Sequence, residues 1–446
     1  MDTLPSLTSA DPDTRALLAA RPALRMNAVD GLLFEGVPLN AIADALGTPT
    51  WVMGAGTLRI RVGRLRAAIA ASGLPIAIHY AMKANDHLAV LRVLAREGVG
   101  ADIVSGGELA RARAAGIDAR HIVFSGVGKS DDELRAALVA GVAQINVESA
   151  EELDQLSAIA AGMGVTARVT LRVNPDVDAG THAKITTGLA DNKFGVAWGD
   201  AAALYARAAG LPGIEPVGFS THIGSQILTP APFRAAYARV ADLVRIVRAQ
   251  GHAVSTVDCG GGLGIAYRDE TEGSPEAFIG AIGAELGALD VRLAIEPGRW
   301  IAGPAGVLLT SVILRKAPGE GTALPFLVTD AAMNDLARPS LYEAWHGIVP
   351  LSPRVALGPL EQAHVVGPVC ESGDTFARDR ALPIIERGDR LAVLDTGAYG
   401  AVMSSTYNAR PLAAQAMVDD GRWATIRARQ PVEALWDAER QPDWLA

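Results

Sequence analysis

Eight apolar runs, each closed by a polar residue or a short side chain, recur between positions 76 and 296: Ile76 to Lys83, Ala101 to Ser105, His121 to Ser125, Ala143 to Glu148, Ala167 to Asn174, Pro216 to His222, Val254 to Cys259 and Val291 to Glu296. Between them lie alanine-rich stretches such as Arg64 to Ala71, Leu134 to Ala140 and Ala201 to Ala209, which favour helix by intrinsic propensity. Strand and helix in turn is the pattern of a parallel sheet flanked by helices, and eight units predict an α/β fold of the (β/α)8 TIM-barrel type. An open, doubly wound sheet satisfies the alternation equally. The number of units, and the polar residues gathered just after the run ends, favour closure, because barrel active sites sit at that face.

After Pro304 the pattern changes. Val307 to Leu314, Leu324 to Thr329, His364 to Val369 and Arg390 to Leu394 are β-like runs joined by Gly/Pro loops. We therefore expect a barrel over residues 48–305 and a mostly β domain over 306–446. Gly31 to Val37 is strand-like, as is Thr50 to Met53, so residues 1–47 are expected to join the β domain and make it discontinuous. The formal charge of −9 argues against a nucleic-acid or anionic-membrane surface. Met1 to Arg25 has no basic region followed by a sustained apolar one, and no stretch of membrane-spanning length lacks charges. The expectation is a cytoplasmic protein without a membrane partner. Cys259 and Cys370 lie far apart, and no histidines form a ligand-like pair, so neither a disulfide framework nor a metal site is expected.

The run ends carry the candidate chemistry. Lys83 closes the first run; an ammonium there has little water to solvate it, which makes the free amine available as a nucleophile towards an aldehyde. A lysine that snorkels to the surface fits the same pattern. The seventh run leads into Gly260-Gly261-Gly262-Leu263-Gly264, where backbone can approach a phosphate without Cβ interference, although a tight turn needs the same residues. The eighth ends in Glu296-Pro297-Gly298-Arg299, either a structural ion pair or a carboxylate and guanidinium serving a ring cation and an anion side by side. The sixth ends in His222, with Ser225 three residues on: an imidazole to stack on a planar cofactor and a hydroxyl to reach its phosphate, or a satisfied core histidine. Pyridoxal 5'-phosphate, a planar phosphorylated aldehyde, accounts for all four features together. Walker and dinucleotide fingerprints are absent.

The same motifs resemble the fold-type III pyridoxal-phosphate decarboxylases, and within them closely those acting on diaminopimelate. The resemblance runs from Gly47-Thr48-Pro49 through Tyr80 to Asn85, Ser105 to Leu109, Asp191 to Gly195, His222 to Gln226, Glu296 to Arg299, Arg338 to Tyr342, Cys370 to Asp374 and Gly397 to Gly400, and ends at Tyr407 to Pro411. Met82 and Trp300 depart from it; Trp300, next to Arg299, bears on pocket shape.

The resemblance implies that Lys83 links the cofactor, that His222 stacks on its ring, and that Ser225, Gly260, Gly261, Gly262 and Tyr399 hold its phosphate, with Pro297 and Gly298 in the same cofactor-binding turn. Asp102 would support the lysine and the ring environment, or be structural. Glu296 would pair with the ring nitrogen and favour the protonated, more electron-withdrawing ring; the related alanine racemases place an arginine there. Arg299, Arg338, Tyr342 and Tyr399 would bind substrate, the first three at its distal carboxylate, and Glu371 would meet its remote ammonium. Cys370 would donate the final proton from the neighbouring subunit, making a homodimer with shared sites. The implied reaction is decarboxylation of meso-2,6-diaminopimelate to L-lysine and CO2. A decarboxylase of another basic amino acid or carboxylated polyamine, a racemase, and a catalytically silent partner-binding homologue are the alternatives. Asp176 to Gly199 is long for a barrel connection, a length suited to covering the site or to a rigid excursion.

Overall fold

Each apolar run became a strand because parallel strands covered on both faces bury nearly every side chain. A computed structural model describes residues 11–178, 193–319 and 323–445. The chain divides into two compact units, one comprising Leu58–Ala266 and Thr271–Ala302, the other Met1–Thr57, Tyr267–Glu270 and Gly303–Ala446.

In the first unit eight parallel strands follow one another in chain order: Ile76–Ala81, Gly100–Ile103, Ile122–Phe124, Gln144–Val147, Ala167–Asn174, Ile214–Ser220, Thr256–Asp258 and Arg292–Ile295. The last pairs back onto the first, Leu293 opposite Ile76, so the sheet is a closed barrel and the open-sheet alternative falls. A short additional strand, Val196–Ala197, pairs with the fifth. Residues 179–192, within the long connection between the fifth and sixth strands, lie outside the described residues.

Three strand-to-helix turns share the pattern Ser-x-x-Glu. Ser105, Ser130 and Ser149 each cap a helix by accepting from the backbone N–H three residues on. The glutamates reach back: Glu108 accepts from Val104 N (2.7 Å), Glu133 from Ser130 N (3.0 Å) and Glu152 from Glu148 N (2.8 Å). Only the Ser130–Glu133 pair is fully reciprocal; Glu108 and Glu152 instead tie down the backbone one residue before the cap.

The second unit is built on a mixed sheet around the long strand Gly306–Lys316, which pairs antiparallel with Thr50–Gly54, Phe326–Thr329 and Arg390–Val393. Side chains alternate along it: Val307 and Leu309 enter one core with Val52, Ala392 and Val418, while Leu308 and Val312 enter another with Trp51, Leu391 and Val393. Thr50–Gly54 therefore lies in the β unit, and the division falls between Thr57 and Leu58, not at residue 48. Pairing with Gly306 to Leu309 on one side and Ala414 to Val418 on the other draws this strand out of the expected barrel range.

Candidate active site

Tyr80 closes the turn after the first strand by donating from its hydroxyl to Asn85 O (3.1 Å), and the single helical turn Met82–Ala84 presents Lys83. Lys83 is not stripped of water as the apolar run suggested: its side chain is 37 % exposed, and Nζ lies 2.9 Å from Oδ2 of the fully buried Asp102. Asp102 stands opposite Ala81 in the next strand, which brings its carboxylate beneath the lysine. Its Oδ1 is buried without a hydrogen-bond partner. Gly298 packs against the same turn; a Cβ there would lie 3.1 Å from those of Ala81 and Ala84.

The glycine run after the seventh strand is a close-approach surface. A Cβ on Gly261 would stand 2.1 Å from Glu296 O, and Gly262, at φ +107°, allows 2.4 Å to Gly224 O. Its amides are less free than the run implied. Gly260 N donates to Asp258 Oδ1 (3.0 Å) and Gly261 N to His222 Nδ1 (3.2 Å), so two of three expected phosphate donors are already engaged. A neutral imidazole is required to accept that bond. Withdrawal from water, then the nearby Arg172 and Lys83 charges, push His222 well below its ordinary range. Arg299 donates from Nε and Nη2 to Ser225 Oγ (3.2 and 2.9 Å), joining two candidates that are far apart in sequence.

Glu296 is buried at the end of the eighth strand, with Ser125 Oγ and Asn146 Nδ2 each 3.5 Å from Oε1. Burial first, then the Asp102 and Asp258 carboxylates, raise it well above the usual carboxyl range. Lys83, His222, Glu296, Asn146, Ser125 and Arg172 line one cleft of about 160 Å³ at the C-terminal ends of the strands. An amine and a carboxyl more than two hundred residues apart thus share one cavity. Trp300 does not line it. It is fully buried, with the Arg61 guanidinium stacked 3.5 Å from its ring centroid and its Nε1 donating to Gly273 O.

Two residues that line the cleft, Arg172 and Asn146, and the fully buried Asp258 were not anticipated from the sequence. Arg172, inside the fifth strand, pairs with Glu148 at 3.0 Å and lies over the Phe194 ring. Asn146 and Asp258 sit in a polar layer in which Gln144 Nε2 donates to both (2.9 and 3.3 Å). A charged or amide side chain within an otherwise buried strand was the available signal.

The remaining candidates belong to the β unit. Arg338 opens the helix Arg338–Tyr342 and is buried, 2.8 Å from His346 Nε2 and over the Tyr267 ring, which rules out an exposed loop arginine. Cys370 and Glu371 are exposed in a turn anchored by Asp374, which accepts from Met333 N (2.7 Å) and Val369 N (2.8 Å). Ser340 Oγ donates to Gly373 O (2.6 Å), tying that turn to the Arg338 helix. Tyr399 lies in the loop that follows Arg390–Val393, at φ +55°.

Residues 57–303 match the family described as "Pyridoxal-dependent decarboxylase, pyridoxal binding domain". The chain is 45 % identical over 417 residues to diaminopimelate decarboxylase of Zymomonas mobilis, covering 93 % of this chain and 98 % of that one. It is 47 % identical over 408 residues to that of Pseudomonas aeruginosa, covering 92 % and 96 %. The chain belongs to the diaminopimelate decarboxylases. A crystal structure of diaminopimelate decarboxylase from Helicobacter pylori complexed with L-lysine superposes with a TM-score of 0.86 at 38 % identity, covering 90 % of this chain and 99 % of that one.

The barrel fits the cofactor of this family. Lys83 offers an amine for the aldehyde, and Arg299 with Ser225 offers a cation and a hydroxyl for the phosphate. Glu296 has no cation as a hydrogen-bond partner: its contacts are long ones to the neutral Ser125 and Asn146 side chains and one to the Asp258 carboxyl, a setting suited to a ring nitrogen. The glycines let a flat ligand come close to the backbone. No cluster of three or more His, Cys, Asp or Glu side chains that could hold a metal ion occurs among the described residues.

Proposed function

We propose that the protein decarboxylates meso-2,6-diaminopimelate to L-lysine and CO2 with pyridoxal 5'-phosphate. The observation that carries this is the shared cleft of Lys83 and Glu296. The cofactor supplies an aldehyde for the substrate amine and a ring that draws off the electron pair left when CO2 departs.

The protein's residues do the rest. Lys83 would hold the aldehyde through Nζ, and Asp102, 2.9 Å away, would hold the free lysine as a paired ammonium. Glu296 would hold a proton at the ring nitrogen, and His222, kept neutral by accepting from Gly261 N, would supply a flat surface for the ring. Arg299 and Ser225 would take the phosphate, and Gly262 and Tyr399 are the further candidates to bind it. Arg338 and Tyr342 recognise the distal carboxylate, and Glu371 the remote ammonium. Cys370 gives a proton to the carbon that has lost CO2.

Cys370 and Glu371 act on the site of the partner subunit, so the working form is a homodimer with two composite sites. The cytoplasm is the compartment that suits it, because a proton-donating thiol must stay reduced; Cys259 and Cys370 are both free. No helix among the described residues is long and apolar enough to cross a membrane. Purified protein incubated with pyridoxal 5'-phosphate and meso-diaminopimelate should release CO2 and L-lysine in equal amounts. Release of CO2 from lysine or ornithine instead, or chirality change without CO2, would overturn the reading.

A further inference from the structure

Counting charge inside the barrel leaves one carboxyl pair without a counterion. Asp102 is matched by Lys83 at 2.9 Å and Glu148 by Arg172 at 3.0 Å. Asp258 and Glu296, from the ends of the seventh and eighth strands, are both buried and share a hydrogen bond. Around them stand Ser125 from the third strand end and Gln144 and Asn146 from the fourth. Tyr237 from the helix Ala231–Ala249, and Cys259, are the nearby neutral groups. The charged groups that bear on Glu296 are Asp102, Asp258, Lys83 and Arg172. Two touching carboxyls in such a setting hold one proton between them.

The hydrogen bonds say where that proton sits. Asp258 accepts from two N–H groups, Gly260 N at 3.0 Å and Gln144 Nε2 at 3.3 Å, which favour a carboxylate. Glu296 has only the two 3.5 Å contacts besides Asp258. Burial raises Asp258 to about 6, whereas burial and two neighbouring carboxylates push Glu296 well above the usual range. The charge settles on Asp258 and the proton on Glu296.

We propose that Asp258 is a positioning residue that keeps Glu296 protonated before the cofactor binds, so that Glu296 brings the ring nitrogen its proton instead of drawing one from solvent. The O–H bond of Glu296 breaks, an N–H bond forms, and the pair is left as two carboxylates against one ring cation; no other reactant is consumed. This rests on the reading of Glu296 as the partner of the ring nitrogen.

The test is calorimetric titration of pyridoxal 5'-phosphate into cofactor-free protein, in buffers of different ionisation enthalpy, at about pH 8, where an unperturbed carboxyl is ionised. If the Asp258 carboxylate is what holds the Glu296 proton against burial and Asp102, which both raise Glu296 in either protein, Asp258→Asn should take up about one more proton per site than the wild type; equal uptake overturns the proposal. Should Asp258→Asn not fold, infrared spectra of the wild type decide. A carboxylic-acid C=O band is expected in the cofactor-free protein, lost on cofactor binding and absent from Glu296→Gln. A cofactor-free wild type without that band overturns the proposal even where CO2 release is normal. Absence of CO2 release with the band present would instead overturn the proposed function.

Discussion

Lys129 sits behind the strand ends, and its removal should be among the costliest single changes in the barrel. Its side chain is 1 % exposed, and Nζ donates to Glu152 Oε1 (2.6 Å), Gly126 O (2.6 Å) and Asn146 O (2.8 Å). Lys129→Met keeps most of the volume but leaves Glu152 buried without its cation and removes a donor from two carbonyls. Breaking a buried pair from one side costs about 3–5 kcal/mol. Glu152, already raised by burial, limits the loss by taking up a proton, so about 3–4 kcal/mol is the expected total near neutral pH. At roughly 2–4 °C per kcal/mol for a domain of this size, thermal unfolding should come about 6–16 °C earlier.

Two further readings make the reasoning refutable. Without Lys129 the folded-state pKa of Glu152 rises further above its unfolded value. A raised carboxyl contributes stability that is present below the unfolded pKa and lost as pH rises through the folded one, so the deficit should be larger at alkaline than at acid pH. Adding Glu152→Gln removes the stranded charge and should restore most of the loss, since the amide oxygen still accepts from Glu148 N. The assay is urea and thermal unfolding of all three variants as a double-mutant cycle. A Lys129→Met loss under about 1 kcal/mol, or no recovery in the double variant, would refute the account of this ion pair.

Glu108 is raised to about 7, chiefly by burial, so wild-type stability should fall across the window from its ordinary value of 4.5 to about 7, and Glu108→Gln should flatten that slope by roughly 3 kcal/mol in urea unfolding followed against pH. Lys83→Ala mixed with Cys370→Ala should regain up to about a quarter of wild-type CO2 release through hybrid dimers; no recovery after confirmed subunit exchange counts against shared sites. Trp300→Leu should lower the unfolding temperature through loss of the Arg61 stack, yet leave the KM for substrate unchanged, because Trp300 is outside the cleft. A changed KM would return Trp300 to the pocket.

The barrel strands were legible because a strand buried on both faces is a continuous apolar run, and Lys83, His222 and Glu296 stood out at the ends of such runs, whereas Asp102, second in its run, came only from the family resemblance. Closure was not legible, since it depends on a pairing between the first and last strands that no local pattern records. In the β unit, Thr375–Pro383 and Arg422–Arg427 went unread: both lie at sheet edges and carry exposed arginines, which hide the alternation. Arg172 and Asn146 were invisible for a different reason. A polar residue inside a strand reads as an interruption until the barrel turns it toward the same cavity as Lys83.

That polar layer explains why this barrel departs from the usual filling of branched apolar side chains. Asp102, Asn146, Thr170 and Asp258 are buried where valine and leucine would pack without a desolvation cost. Part of the cost is met by mutual bonding: Thr170 donates to Asn146 Oδ1, and Gln144 bridges Asn146 and Asp258. Bonding alone does not account for the excess of carboxyl groups over cations, because an apolar layer of the same volume would be at least as stable. The excess makes sense for a cleft that receives positive charge in use. On the proposed function, a ring cation beside Glu296 and a free ammonium on Lys83 beside Asp102 would each meet a buried acid already in position. Replacing Asp258 by asparagine, which keeps an acceptor for Gly260 N and Gln144 Nε2, should accordingly stabilise the cofactor-free fold or leave it unchanged, while weakening cofactor binding at alkaline pH. A variant that lost stability and kept full cofactor affinity would show that the layer serves the fold and not the ligand.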